Sequence, residues 1–329
     1  MAATITDLLS LHQHSPTHYE SIKLPERMGN TANLAFGGNT LGIAIAAALQ
    51  TVPPTFHLYS AMGNYLGPAS VDRTLHCSVR SLRSTKTFCT RLVEVSQIRD
   101  DGQKRLCMFM TADFQAPEPD TVLTYSCPPR RPVSALEDCL SEADNEKALL
   151  QRGVITTQDV KIQRQLFGLA QRFFDRRPCP EGMMAQTYAG AAKKGMPTTQ
   201  DQFPIYEKTS SDYFRAKHRI ETPAQHLAAL AFVMDMATSF IPLVHSGSTL
   251  MEAGVQSSLD FAMRVFVHGG EGGVDLNEWN LREWATVTGG EGRTYTELRV
   301  WNLSGRMLGN MTQQCILRPK KGVESRPKM

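Results

Sequence analysis

The feature that most constrains this chain is a segment order, one apolar helix followed by several strands, that occurs twice. In the first copy, Phe36-Gly37-Gly38 opens an alanine-rich segment that favours a helix, and Val52-Pro53-Pro54 ends it. Because this helix is apolar nearly all round, we expect it to be buried by a sheet wrapped around it. Alternating apolar residues then predict an antiparallel meander of four strands: Phe56–Leu66, Leu75–Ser84, Thr87–Gln97 and Leu106–Phe114.

The second copy begins at Thr222, a favourable N-cap, with Pro223 at the first helical position. Apolar residues recur at helical spacing as far as Met234, which predicts a second buried helix running to about Phe240. Glycine-rich turns at 269–273 and 289–292 separate some of the segments that follow. The predicted strands are Ser258–His268, Arg282–Thr288, Tyr295–Asn302 and Met307–Leu317.

The length of 329 residues suits about two domains. We therefore expect an N-terminal helix-in-sheet module over residues 1–126, a connecting segment over 127–212 and a C-terminal module over 213–329. The connecting segment is broken by Gly and Pro and shows no sustained strand period. Within it, the stretch 163–177 has the pattern of an amphipathic helix with arginines on a solvated face.

Composition excludes several classes of protein. With 41% hydrophobic and 20% charged residues the chain should be globular and soluble, and its net charge of +3 gives little reason to expect nucleic acid. Seven cysteines without a C-x-x-C pair favour a reduced compartment. We expect no membrane insertion and no secretion, because no apolar run approaches the ~18 residues of a membrane span.

Two further expectations concern location and cofactors. The residues Pro327-Lys328-Met329 resemble a peroxisomal address, so we expect a cytoplasmic or peroxisomal protein. The sequence lacks a complete dinucleotide fingerprint, a P-loop and a Gly-x-Ser-x-Gly elbow, which argues against a Rossmann enzyme, an NTPase and an α/β-hydrolase. The spacing of the nine histidines does not suggest a metal site, and we expect no cofactor.

Asp235 is the most informative single residue. It interrupts an apolar sequence in a helix that should be largely buried, where an unpaired carboxylate costs several kcal/mol. The pattern alone fits either a carboxylate on the helix surface or a functional acid.

The N-terminal motifs resemble the N-terminal half of TesB-like acyl-CoA thioesterases. They comprise Phe36-Gly37-Gly38 with the helix that ends at Thr51-Val52-Pro53, Ser81-Leu82-Arg83 with Thr87-Phe88 and Arg91, and the strand Phe109–Glu118. The C-terminal motifs resemble the same family in the same order. They comprise the helix with Asp235, Glu252–Gln256, Ser258-Leu259-Asp260, Leu276–Trp279 and Thr312-Gln313-Gln314.

The resemblance implies an α+β double hotdog fold, in which two helix-in-sheet modules form one continuous sheet. It also implies a catalytic set of Asp235, Ser258 and Gln313, with an acyl-CoA as substrate and the acyl group in a tunnel between helix and sheet. Asp235 can accept a proton from water, whereas Ser258 and Gln313 can hold the water and Asp235 in line. A nucleophilic Ser258 is disfavoured, because no histidine is recognisable as its base.

The sequence departs from the family pattern at Met62–Pro68, where a His and an Arg are absent, and at Asn39, which replaces a Gln. We expect these departures to lie away from the catalytic residues and to affect the range of substrates, favouring an unusual, polyketide-like acyl group.

Two alternatives stay open at this point. The hotdog scaffold also supports a dehydratase or acyl-transfer enzyme of a biosynthetic pathway, or a non-catalytic module that binds acyl thioesters. The thioester carrier could be coenzyme A or a carrier protein. We also expect a homo-oligomer, because two fused modules still leave strand edges to cover.

Overall fold

The computed structural model describes residues 1–193, 195–268 and 273–320. In the first half the elements are α1 (Ile5–Leu8), β1 (Leu11–Ser15), β2 (His18–Ser21), α2 (Gly37–Leu49), β3 (His57–Tyr65), β4 (His76–Ser84), β5 (Phe88–Ile98) and β6 (Lys104–Gln115). The middle of the chain contains α3 (Glu142–Gln151), α4 (Thr157–Phe173), β7 (Phe174–Pro178), α5 (Met183–Gln186) and β8 (Ser210–Ala216). The last part contains α6 (Pro223–Met234), α7 (Ile241–His245), β9 (Ala253–Ser258), β10 (Asp260–Val265), β11 (Asn280–Gly290), β12 (Arg293–Asn302) and β13 (Met307–Pro319).

One continuous antiparallel sheet contains all thirteen strands. Its order is β1-β2-β4-β5-β6-β3-β10-β13-β12-β11-β8-β7, and β9 pairs with β13 away from this path. The two halves join where β3 pairs with β10, with Gly63 opposite Phe261 and Ala61 opposite Met263. Each half wraps one buried helix, so the sequence prediction of two helix-in-sheet modules in a continuous sheet is confirmed.

The two central helices, α2 and α6, pack directly against each other inside the sheet. Gly38 and Gly42 lie one helical turn apart on α2 and allow this approach. A Cβ atom on Gly38 would lie 2.7 Å from the Phe232 carbonyl oxygen, and one on Gly42 would lie 3.1 Å from that of Ala228. Both helices belong to one hydrophobic core with the inner faces of the strands.

The prediction that the second helix runs to about Phe240 was wrong. Helix α6 ends at Met234 with Asp235 as its C-cap, and Ala237 has a φ of 71°, which a helix cannot continue through. Side chains bind the carbonyl groups that the helix no longer uses: Arg282 donates to Val233 O at 2.9 Å and Trp284 donates to Met236 O at 3.0 Å. Tertiary contacts therefore override a helical pattern here.

The connecting segment is more regular than its sequence indicates. It contains β7 and the first three residues of β8, which extend the sheet of the second half although the sequence shows no sustained strand period there. The predicted helix over 163–177 is also shifted, because α4 begins at a Thr156 cap and gives way to a strand at Phe174. The predicted boundary between residues 212 and 213 falls within β8, and the domain division stays a prediction.

Other details refine the strand predictions. The segment predicted as one strand, Ser258–His268, is divided into β9 and β10 around Leu259, whose N–H donates to Gln314 O. The turn at 289–292 is confirmed as the β11–β12 connection, with Gly292 at a φ of 72°.

All seven cysteines have free thiols. Gly269–Gly272 and the tripeptide Pro327-Lys328-Met329 lie outside the described residues.

We predict that Gly38→Ala lowers the free energy of unfolding by about 1–3 kcal/mol, because the added methyl group would clash with the Phe36 ring and lie 2.7 Å from the Phe232 carbonyl oxygen. In a helix without these contacts, alanine would instead be favoured by about 1 kcal/mol. Urea denaturation would measure the change. The matched control is Gly67→Ala, whose added Cβ meets no atom within 4 Å and should leave the unfolding midpoint almost unchanged. An equal midpoint for both variants would contradict the packing argument.

Candidate active site

The Asp235 carboxylate lies in the core, where the C-terminus of α6 meets the N-terminus of α2. The residue is 5% exposed. The Gly38 N–H donates to the carboxylate, and the α2 helix dipole presents its positive end to the negative charge. Gly37 allows the carboxylate to approach the backbone of α2 closely, since a Cβ atom there would lie 2.7 Å from Asp235 Oδ2.

Gln313, on β13, connects the predicted site residues through its amide. Its Nε2 donates to Asp235 Oδ1 at 2.5 Å, and its Oε1 accepts a hydrogen bond from Ser258 Oγ at 3.0 Å. The Thr238 hydroxyl donates to the same Oε1. The carboxylate can only accept, so the amide nitrogen must face Asp235 and the amide oxygen must face the hydroxyl groups. Asp235, Ser258 and Gln313, which the sequence placed in one site, are therefore neighbours in space.

Gln313 is fully buried, whereas Ser258 is half-buried. Ser258 is the last residue of β9 and pairs with Cys315 on β13. Its hydroxyl proton is used in the bond to Gln313, and its oxygen faces the Cys315 thiol at 4.0 Å. One lone pair of this oxygen is left to accept a further hydrogen bond.

Tyr65 brings the first half of the chain into the site. Its hydroxyl donates to Asp235 Oδ1 at 3.3 Å. The expectation that the departures in Met62–Pro68 lie away from the catalytic residues was wrong, because this segment includes the end of β3, the strand that pairs with β10 of the second half. The strand order, which the sequence does not show, decides this position.

Burial raises the pKa of Asp235 to about 6, although the bonds from Gln313, Tyr65 and the Gly38 N–H lower it. Burial and the neighbouring Asp235 charge also raise the pKa of Tyr65 well above 10, so Tyr65 stays a neutral donor. The Cys315 thiol has its pKa raised to about 12, chiefly by burial. It is therefore a protonated thiol at neutral pH and a poor nucleophile.

A buried ion pair supports the turn that carries Asp235. Arg282 is fully buried and binds both oxygens of Asp212, at 3.0 and 2.7 Å, while its third nitrogen holds the Val233 carbonyl. The guanidinium also lies 4.1 Å from the centroid of the Trp284 ring. Arg282, through Val233 O, and Trp284, through Met236 O, therefore fix the backbone on both sides of Asp235.

Sequence reasoning missed Tyr65, Thr238 and Arg282 as parts of this site. Thr238 and Arg282 are polar residues within apolar or strand-like stretches, and that pattern alone does not tell which polar side chains share a site. Within the described ranges, no group of three or more His, Cys, Asp or Glu side chains is placed to hold a metal ion. Nor do those ranges contain a helix long and apolar enough to cross a bilayer.

Comparison with known families matches both halves of the chain. The profile of the acyl-CoA thioesterase N-terminal domain matches residues 24–115, and that of the C-terminal domain matches residues 169–317. The chain belongs to the TesB-like acyl-CoA thioesterase family. The C-terminal match includes Asp235, Ser258 and Gln313, and the N-terminal match includes Tyr65 and the start of α2.

Solved structures show the fold. The TesB protein of Mycobacterium avium subsp. paratuberculosis is 14% identical with a TM-score of 0.67, covering 96% of this chain and 98% of that one. The acyl-CoA thioesterase II TesB2 of Mycobacterium marinum is 18% identical with a TM-score of 0.66, covering 97% and 100%. A hot dog fold protein of Alicyclobacillus acidocaldarius is 13% identical with a TM-score of 0.65, covering 96% and 98%. The family member described here therefore has a double hotdog fold. A search of curated protein sequences finds no match.

We predict that Asp235→Asn stabilises the protein at about pH 8 by on the order of 3 kcal/mol. The folded-state pKa lies near 6, above the ordinary 3.8, so the buried carboxyl group favours folding below about pH 4 and loses that contribution as pH rises through 6. Asparagine keeps the shape and an oxygen acceptor for Gln313 without the buried charge. Unfolding midpoints measured between about pH 4 and pH 8 would test this. A difference between variant and parent that does not change with pH would contradict a buried charge at Asp235.

Proposed function

We propose that this protein hydrolyses an acyl-CoA to the free acid and coenzyme A, with Asp235 as general base. The observation that carries the proposal is the single Gln313 amide that bonds to Asp235 and to Ser258 at the same time. It aligns an acid with a pKa near 6 and a hydroxyl group that can hold water. Membership of the acyl-CoA thioesterase family supports the choice of substrate class.

In the proposed reaction, a water molecule that donates hydrogen bonds to Ser258 Oγ and to the Asp235 carboxylate attacks the thioester carbonyl carbon. As the new C–O bond forms, a water proton passes to the Asp235 carboxylate. The tetrahedral intermediate then loses its C–S bond, and the leaving thiolate takes the proton from Asp235, which restores the carboxylate. Asp235 must be ionised to start this cycle, so the proposed reaction requires a pH above about 6.

The N-terminus of α2 can stabilise the negative charge that develops on the carbonyl oxygen. The Gly38 N–H already donates to Asp235 and the Asn39 N–H to the Phe36 carbonyl, so the helix dipole is what would favour an anion there. Gly37 lets the Asp235 carboxylate lie close to this end of the helix. Tyr65 bonds to the same carboxylate, which helps to keep the carboxylate oriented towards the substrate.

Several expectations remain proposals. Copies of the chain are expected to associate through sheet edges, of which β1 and β7 are the outermost strands. A cytoplasmic or peroxisomal location is also still a prediction.

The dehydratase, acyl-transfer and non-catalytic alternatives differ from hydrolysis in one observable, because only hydrolysis releases free coenzyme A thiol from a simple acyl-CoA in water.

We predict that Asp235→Asn lowers the rate of coenzyme A release by about 10² to 10⁴ while the protein stays folded. The substitution removes the base but keeps the side-chain shape. A thiol reagent would report turnover over a panel of acyl-CoAs. Asp260→Asn is the matched control, because Asp260 accepts a bond from the Gln314 N–H and asparagine can do the same. Near-normal turnover of the Asp235 variant would show that another group is the base.

We predict that Ser258→Ala lowers kcat about tenfold or more with little change in KM, because Ser258 holds the attacking water rather than the substrate. Steady-state kinetics would separate the two parameters. Ser257→Ala is the control: its side chain is exposed on the opposite face of β9. An unchanged kcat with a raised KM in the Ser258 variant would instead make Ser258 a substrate contact.

A further inference from the structure

A cavity of about 70 Å³ lies directly behind the turn that carries Asp235. Met236 and Ala237, the two residues after Asp235, form part of its wall. Most of the remaining walls come from α3, α4, α5 and the strands β7, β8 and β11, and Met28 of the first half completes them. The connecting segment thus forms much of the cavity, which the three residues proposed for hydrolysis do not line.

The side of the cavity next to the catalytic turn is apolar. Met236, Phe240, Phe167 and Trp284 line it, and the Phe167 and Phe240 rings lie 5.2 Å apart. The small side chain of Ala237 lies where this surface meets the turn. The apolar atoms of this wall suit the methylene groups of an acyl chain.

Other residues of the lining are amides whose nitrogens are already used. Asn145 donates to Ala185 O at 3.2 Å, Gln163 donates to Tyr188 O at 3.0 Å, and Gln171 donates to a Glu142 carboxylate oxygen at 3.3 Å. The three amide oxygens accept no hydrogen bond from any residue that the structure describes. Because a carbonyl oxygen only accepts, these groups suit a ligand that donates hydrogen bonds.

The charges in this wall are already balanced. In the lining, Arg176 pairs with Glu142, and Asp212 pairs with Arg282, which lies outside the lining, so each carboxylate of the wall has a cation. A carboxylate or ammonium group on the ligand would add an unpaired charge in a largely enclosed space, which is unfavourable. A neutral hydroxyl group can donate to an amide oxygen without this cost.

We propose that the acyl chain of the substrate passes Ala237 into this cavity and carries a hydroxyl group there, with the Gln171 amide oxygen accepting the hydroxyl hydrogen bond. The inference rests on the proposed hydrolysis at Asp235 and specifies its substrate class. On this proposal, the unusual acyl group expected from the sequence is a hydroxylated chain rather than a plain saturated one.

The test compares coenzyme A release from pairs of acyl-CoAs of equal length, one plain and one with a terminal hydroxyl group, over short, medium and long chains. We expect kcat/KM to favour the hydroxylated member about tenfold at the chain length that reaches the amides. Gln171→Met, which keeps the length but removes the acceptor, should bring that ratio close to one. Gln165→Met is the matched control, because Gln165 lies on the exposed side of the same helix and should keep the ratio. The ratio is insensitive to a general loss of stability, which would slow both substrates equally.

A second variant tests whether the cavity holds the chain at all. Ala170 is buried in the cavity lining, so Ala170→Leu should fill space and lower kcat/KM for longer chains while short chains are still hydrolysed.

Three results would overturn the proposal. The parent enzyme shows no hydroxyl preference at any length, the preference survives Gln171→Met, or Ala170→Leu leaves the chain-length profile unaltered. Any of these results alongside normal hydrolysis of plain acyl-CoAs would leave the proposed function intact. Absence of thiol release from every substrate would instead reject the proposed function.

Discussion

The close packing of α2 on α6 is the contact on which the rest of this structure depends. Gly38 and Gly42 bring the backbones of the two helices together, and this places the N-terminus of α2 against the C-cap of α6. A larger residue at Gly38 would push the helices apart by its contact with the Phe232 carbonyl. Both modules therefore share one core, and the Asp235 carboxylate lies at their interface rather than inside either one.

Burial of that carboxylate is unfavourable, and the surrounding groups show how the fold tolerates it. The Gln313 amide, the Tyr65 hydroxyl and the Gly38 N–H donate to Asp235, while the α2 dipole favours its negative charge. These bonds leave the pKa near 6 rather than higher, so the group is ionised at neutral pH yet basic enough to accept a proton. The Arg282–Asp212 pair is a second buried charge system, and it holds the turn on which Asp235 stands. The cost of burying charge is thus spread over a hydrogen-bonded network that also fixes the geometry of the site.

The junction of the two sheets explains why a repeated sequence gives a single candidate site. Strand β3 of the first half pairs with β10 of the second, so Tyr65 approaches a carboxylate 170 residues away in sequence. The connecting segment adds β7, β8 and α4, which build the cavity beside the turn at Ala237. The segment with the least recognisable sequence pattern thus forms much of the surface on which we base the substrate proposal.

The sequence by itself determined the two buried helices and most of the strands, and it nominated Asp235, Ser258 and Gln313 as candidates, because hydrophobic period, capping residues and family motifs are local properties. Only the tertiary structure decided that α6 stops at Met234, because Arg282 and Trp284 bind the carbonyl groups that a longer helix would use. It also decided that Tyr65 joins the site, since strand order depends on pairing between distant segments and leaves no local period. The cavity of the connecting segment has the same origin, because its walls come from elements that are far apart in the chain and meet only after the sheet has formed.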